Sequence, residues 1–180
     1  MTYYFGTPAE YGGQHSSSPQ MLAFEQYRVR SDLYETHFHS AAMDTFLAKI
    51  PPTMTTGLDL THYEDVAGFL DKPGDMTECA LFYDTRITCT PGNREVVLAG
   101  LKMVAGQVER EEKGTYTYLV LRSLDTEDGV RVFERYASKE AMEEHWRGKA
   151  LLEFFMDSKE IIKSMEGRSY VPNGYGWLHR

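Results

Sequence analysis

His145 lies four residues after Ala141 in a stretch with helical spacing, and Glu134 and Tyr136 lie two apart just ahead of it. A neutral imidazole, with an ordinary pKa of about 6.5, suits a general base. A glutamate whose pKa is raised by burial can shuttle a proton, and a tyrosine hydroxyl can donate to a developing oxyanion. Residues two apart on a strand share a face, so Glu134 and Tyr136 point the same way. His145, Tyr136 and Glu134 therefore read as a catalytic acid–base set. The competing reading is a core histidine that holds helix to sheet, beside a glutamate paired with an arginine. Trp146, Phe155, Tyr118 and Tyr83 offer flat surfaces for a planar substrate. Arg86 offers a cation for a substrate carboxylate or phenolate, or a surface ion pair.

The same set occurs twice. Phe24-Glu25-Gln26-Tyr27 matches Phe133-Glu134-Arg135-Tyr136 at an offset of 109 residues. His37-Phe38 matches His145-Trp146 at 108, and that offset also carries Ala42 to Ala150, Phe46 to Phe154 and Gly68-Phe69-Leu70 to Gly176-Trp177-Leu178. A register held this long marks an internal duplication. It adds His37, after Leu33, to the substrate-binding candidates. It also strengthens the structural reading, because a packing solution duplicates more readily than an active site.

The elements that must position these residues are clearest in the second copy. Ala80 to Cys89 is apolar and β-branched, a strand, and Pro91-Gly92 is a turn. From Asn93, a possible N-cap, to Glu112, Val97, Leu101, Val104 and Val108 mark one face of a helix that ends at Gly114. Thr115–Ser123 and Val130–Ala137 form a hairpin around the turn at Asp125–Gly129. Ser138 caps a helix that runs to about Arg147. Leu151–Met165 holds one or two more helical turns, and Ser169–Leu178 is extended. The order is β-α-β-β-α-β, the ferredoxin-like unit.

One sheet face of such a unit is left for burial against a second copy, so two halves would enclose a barrel with the ligand site inside. The expected class is α+β, with a truncated first repeat at 1–74 and a complete second repeat at 77–180. The first repeat lacks one strand and one helix, and enters at Thr2-Tyr3-Tyr4, which resembles the start of the second hairpin strand. Its hairpin loop, Tyr11 to Pro19, is long and polar. A homodimer in which the partner chain supplies the missing strand is one way to fill the gap, and a rearranged N-terminus is another.

Composition narrows the classes. Of 180 residues, 19 are Lys or Arg and 27 are Asp or Glu, giving a net charge of −8 that disfavours nucleic acid as a partner. No run is long and apolar enough to span a membrane, and the N-terminal residues lack the basic and apolar regions of a signal peptide. A cytoplasmic protein is the expectation. Cys79 and Cys89 are too far apart on one strand to bridge and read as free thiols. His39 and His62 join no defensible metal set, so no metal is expected. The run Glu109-Arg110-Glu111-Glu112-Lys113 reads as a solvated helix end.

The second copy resembles the antibiotic biosynthesis monooxygenase (ABM) family of dimeric α+β barrels. The resemblance rests on Arg86 with Pro91-Gly92 ahead of a long helix. It rests too on Val132-Phe133-Glu134-Arg135-Tyr136, followed by Ser138 to His145 with Ala141 and His145 four apart. It covers 77–180 and, more faintly, 20–72. The resemblance implies oxygenation of an electron-rich aromatic or polyketide-type molecule, an anthrone or hydroquinone, by O2 and without a cofactor. Relatives also include haem-degrading enzymes, isomerases and proteins without known activity. A cofactor-free cyclase, isomerase or lyase on a similar substrate, or a non-catalytic ligand-binding barrel, therefore stays open.

Overall fold

The computed structural model describes residues 2–14, 18–72 and 78–177. The calls on the centre of the first hairpin loop, on the junction at 73–77 and on Leu178 fall outside them. The chain forms two compact units, one of Met1–Tyr4, Ala23–Leu60 and Tyr175–Arg180, the other of Phe5–Leu22 and Thr61–Gly174.

The larger unit holds β3 (Tyr63–Phe69), β4 (Leu81–Cys89), α2 (Arg94–Glu111), β5 (Thr115–Ser123), β6 (Gly129–Tyr136), α3 (Lys139–Trp146), α4 (Lys149–Ser158) and most of β7 (Ile162–Trp177). Its strands lie in the order β7-β4-β6-β5-β3. The first four are the ferredoxin-like order of the second repeat. Strand β3, the last strand of the first repeat, pairs antiparallel with β5. Beyond β7 comes β1 (Thr2–Pro8), of which Phe5–Pro8 belongs to this unit.

Side chains alternate across the sheet, and the two faces differ in chemistry. One face carries Ile87, Tyr118, Val120, Val130 and Val132 against Val97, Leu98, Leu101, Val104 and Val108 of α2. That helix buries a stripe one apolar residue every three or four, which is why its sequence shows the spacing so plainly. Its last turn is closed by Lys72, whose Nζ donates to the carbonyls of Val108 and Glu112. The opposite face carries Phe82, stacked on Tyr170 at 5.2 Å and tilted against Phe133 at 5.6 Å. Beside them Arg131 forms a two-pronged ion pair with the buried Asp84.

Two boundaries differ from the sequence reading. Helix α4 ends at Ser158 and β7 begins at Ile162, seven residues before the expected extended segment. Pairing with β4 from Cys89 and Ile162 onward extends β7, so a tertiary partner overrides weak local preference. Asn93 stands at the N-cap position of α2 without capping it; its Nδ2 donates to Thr90 Oγ1 instead. Ser138 does cap α3, its Oγ accepting from Ala141 N at 3.2 Å.

The smaller unit contains the start of β1, most of β2 (Leu22–Gln26), a π-helical turn at Asp32–His37 and α1 (Ala41–Lys49). Among its described residues nothing corresponds to the opening strand and long helix of the second repeat. No helix among the described residues is long and apolar enough to cross a membrane.

Candidate functional site

Gly114 and Ala141 set the site's geometry. A Cβ on Gly114 would come within 2.6 Å of the Ala141 Cβ, so only two small residues let α3 sit this close to the end of α2. One turn on from Ala141, His145 is thereby pressed against Glu112, the residue that follows α2 as its C-cap. Its Nδ1 lies 2.8 Å from Glu112 Oε2 and 3.0 Å from Oε1. On the ring's other side, Nε2 lies 3.2 Å from Glu134 Oε1, off the line of a good hydrogen bond. Glu134 Oε1 also accepts the Tyr136 hydroxyl at 2.8 Å. The rings of Tyr118 and Tyr136 flank the imidazole at 5.4 and 5.7 Å. Tyr118 pairs with Glu134 across β5 and β6, so the strand register brings Tyr118, Glu134 and Tyr136 onto the helix-covered face.

Burial and charge oppose each other here. Burial by itself would drive a proton off His145, which is only 2% exposed. The hydrogen bond to Glu112 and the negative charges of Glu112 and Glu134 outweigh it and raise the imidazole to about 9. Carboxylates only accept, so at neutral pH both ring nitrogens carry protons and His145 is a cation. Burial alone would also raise the Glu112 carboxyl, yet bonds from His145 and from Thr115 Oγ1 hold it below the usual range. Tyr118 and Tyr136 are pushed well above an ordinary phenol, first by burial and then by the Glu134 charge. Glu112 is the group that reaches solvent: it opens, with His145, Thr115, Gly148 and Leu151, onto a cleft of about 500 Å³. That size falls within the range of small-molecule sites.

The family model for antibiotic biosynthesis monooxygenase matches residues 82–156, a segment that contains the whole cluster. Residues 82–156 are an ABM domain. No curated protein matches the chain by sequence. Among solved structures, it is similar to a "putative monooxygenase" from Lactobacillus acidophilus NCFM, with a TM-score of 0.75 and 13% identity over 99% of this chain and 79% of that one. A "putative monooxygenase" from Fusobacterium nucleatum gives 0.73 and 14% over the same shares. An "anthrone oxidase-like protein" gives 0.67 and 17% over 97% of this chain and 79% of that one. At these identities the structures speak for the fold.

Within the ABM domain, His145, Glu134, Tyr136 and Tyr118 come together as the sequence suggested. Tyr83 joins them, since it pairs with Glu134 across β4 and β6. Its ring meets Trp146 edge-on at 5.0 Å, and Trp146 is 38% exposed. Phe155 packs beside Phe154 against the hydrophobic core. Arg86 lies on the other sheet face, its Nε 3.9 Å from Asp84 Oδ2. His37 belongs to the smaller unit. Elsewhere His62 binds Asp125, and both cysteines are buried and outside any disulfide, Cys89 pushed up to about 11 by burial.

Glu112 is the functional candidate that sequence reasoning passed over. The charged run that holds it is not solvated throughout: Glu112 turns inward. One signal was available. A carboxylate at a helix C-terminus opposes the helix dipole, so a glutamate there needs another partner.

Proposed function

We propose that this protein is a cofactor-independent monooxygenase acting on an electron-rich aromatic small molecule of the anthrone or hydroquinone class. The observation that carries the reading is the ABM match over 82–156 together with a buried histidine–carboxylate cluster bordering a cleft inside that segment. The substrate's acidic proton passes to the neutral form of His145. The resulting carbanion or phenolate gives electrons to O2, forming a carbon–oxygen bond. Loss of water from the peroxide leaves one oxygen atom on carbon as a carbonyl, and the second departs with the two substrate hydrogens. The substrate supplies all the electrons, so the balance needs no external reductant. The Tyr136 hydroxyl gives its one proton to Glu134, so its part is to hold that carboxylate beside His145, and the developing oxyanion is left to a backbone amide.

The pKa of about 9 fixes how such a base works. At pH 7 roughly one His145 in a hundred is neutral. Turnover therefore climbs with pH until His145 has lost its proton. The experiment is oxygen uptake by metal-stripped, flavin-free protein with a panel of anthrones and hydroquinones, run beside an anaerobic product assay. Uptake matched by oxygenated product supports the proposal. Product formed equally under nitrogen would assign a cyclase or isomerase instead, and binding without product a ligand carrier.

A further inference from the structure

His145 lines the cleft of about 500 Å³, yet neither of its nitrogens is open to a ligand there. Both face carboxylates, Nδ1 that of Glu112 and Nε2 that of Glu134. His145 and Glu134 are 2% and 4% exposed, and the buried rings of Tyr118 and Tyr136 flank the imidazole. The Glu112 side chain is 26% exposed and lines the same cleft. A proton that moves between the cleft and His145 Nδ1 therefore crosses the Glu112 carboxylate.

The two oxygens of that carboxylate are not equivalent. Oε2 accepts from Thr115 Oγ1 at 2.7 Å and lies 2.8 Å from His145 Nδ1. Oε1 takes only the longer branch of the same imidazole bond, at 3.0 Å. A carboxylate has about four acceptor positions, so Oε1 has room for a further donor. Thr115 is buried at the start of β5, and its bond anchors Oε2 there. Gly148 stands near Oε1: a Cβ built on it would lie 3.7 Å away, and as glycine it leaves that approach open.

The rest of the lining suits a flat molecule that can donate a proton. Val104, Ala150 and Leu151 are apolar, and Gly114, Ala141 and Gly148 take up little space. One imidazolium stands between two carboxylates, so the cluster as a whole keeps one negative charge. Glu112 presents that charge to the cleft as an acceptor. An aryl ether brings it nothing to accept, whereas a phenol or enol does.

We infer that Glu112 is the residue that meets the substrate: its Oε1 accepts the hydroxyl of a phenol or enol, and the proton passes through Glu112 to Nδ1 of a neutral His145. The O–H bond breaks and an N–H bond forms, leaving an aryloxide or enolate beside an imidazolium. His145 keeps its other proton on Nε2, next to Glu134. No electrons change hands in this step. The proton step rests on the oxygenase reading, and the hydroxyl contact does not depend on it.

2-Naphthol serves as the probe, with 2-methoxynaphthalene, which has no proton to donate, as its control. Calorimetry under nitrogen on the full chain gives affinity, and the histidine Cε1–Hε1 signals in NMR give location. In wild type, 2-naphthol should bind roughly tenfold or more tightly than the methyl ether, as a bond to a charged acceptor requires, and should shift the His145 signal. Glu112→Gln should bring the two probes within about threefold of each other. With an anthrone at about pH 10, where His145 is largely neutral in both proteins, kcat of Glu112→Gln should be roughly a hundredfold lower or less.

Equal binding of the two probes to wild type, no binding up to the solubility limit, a shift that misses His145, or a full preference retained in Glu112→Gln would each overturn the contact. An unchanged kcat at pH 10 would overturn the relay and leave Glu112 a residue that only tunes His145. If wild type turns over no anthrone, the oxygenase reading and the proton step fall together, while the binding measurements still decide the contact.

Discussion

Glu112 Oε2 stands 2.8 Å from His145 Nδ1, joining the C-terminal end of α2 to the last turn of α3 across 33 residues of sequence. Two consequences run from this contact. It ties α2 to α3, and it sets the protonation state of the residue assigned the proton-transfer role.

The first consequence concerns stability. Folding raises His145 from its ordinary value of about 6.5 to about 9, so the folded state binds the proton more tightly than the unfolded chain. The stabilisation is fully present below about pH 6.5 and is lost as pH rises through about 9. Urea unfolding should show wild type losing roughly 3 kcal/mol across that window. His145→Gln should lack this slope, and an equal slope in the variant would contradict the assignment.

Tyr136→Phe removes the hydroxyl that donates to the buried Glu134. The loss of a charge-assisted bond should cost about 1–3 kcal/mol. Because that hydroxyl also holds Glu134 beside His145, the pH profile of turnover should shift in the variant while substrate affinity changes little. Denaturation and steady-state kinetics on the same preparation separate the two effects.

Gly68 of β3 holds Tyr118 in place from behind. Its φ is +96°, and a Cβ there would come within 1.8 Å of the Tyr118 carbonyl oxygen. Gly68→Ala should destabilise the protein by more than about 2 kcal/mol, through backbone strain and a clash that cannot rotate away. A melting temperature within a degree of wild type would refute this.

On the opposite sheet face, Asp84 is 4% exposed and bound by Arg131. Asp84→Ala leaves a largely buried guanidinium without its carboxylate and should cost about 3–5 kcal/mol. Replacing both, as Asp84→Leu with Arg131→Met, should recover most of that loss. A double variant no better than Asp84→Ala would show that the pair is not what holds this face.

The legible part of the site is the part encoded locally. Ala141 and His145 four apart, and Glu134 and Tyr136 two apart, report their shared faces directly through helix and strand periodicity. For Arg86 the same rule favours the ion-pair reading, because Tyr83 and Arg86 are three apart on one strand and so point to opposite faces. Glu112 was hidden because its charged neighbours mask it, although its place four residues after Val108 continues the buried stripe of α2. The length of β7 was hidden for a different reason: its first residues are extended by β4, more than 70 residues earlier in the chain. The repeat makes the His37 cluster visible as a copy, since Glu25, Tyr27 and His37 come together as Glu134, Tyr136 and His145 do.

The most direct test of the account is the pH profile of enzyme-dependent oxygen uptake with an anthrone, in wild type and in Glu112→Gln. The account predicts that kcat/KM rises to a plateau above about pH 9 in wild type. In Glu112→Gln the midpoint moves down, toward the ordinary histidine range. No uptake at any pH, a rate that is flat or falls between pH 6 and 9, or the same midpoint in both proteins would contradict His145 as a base tuned by Glu112.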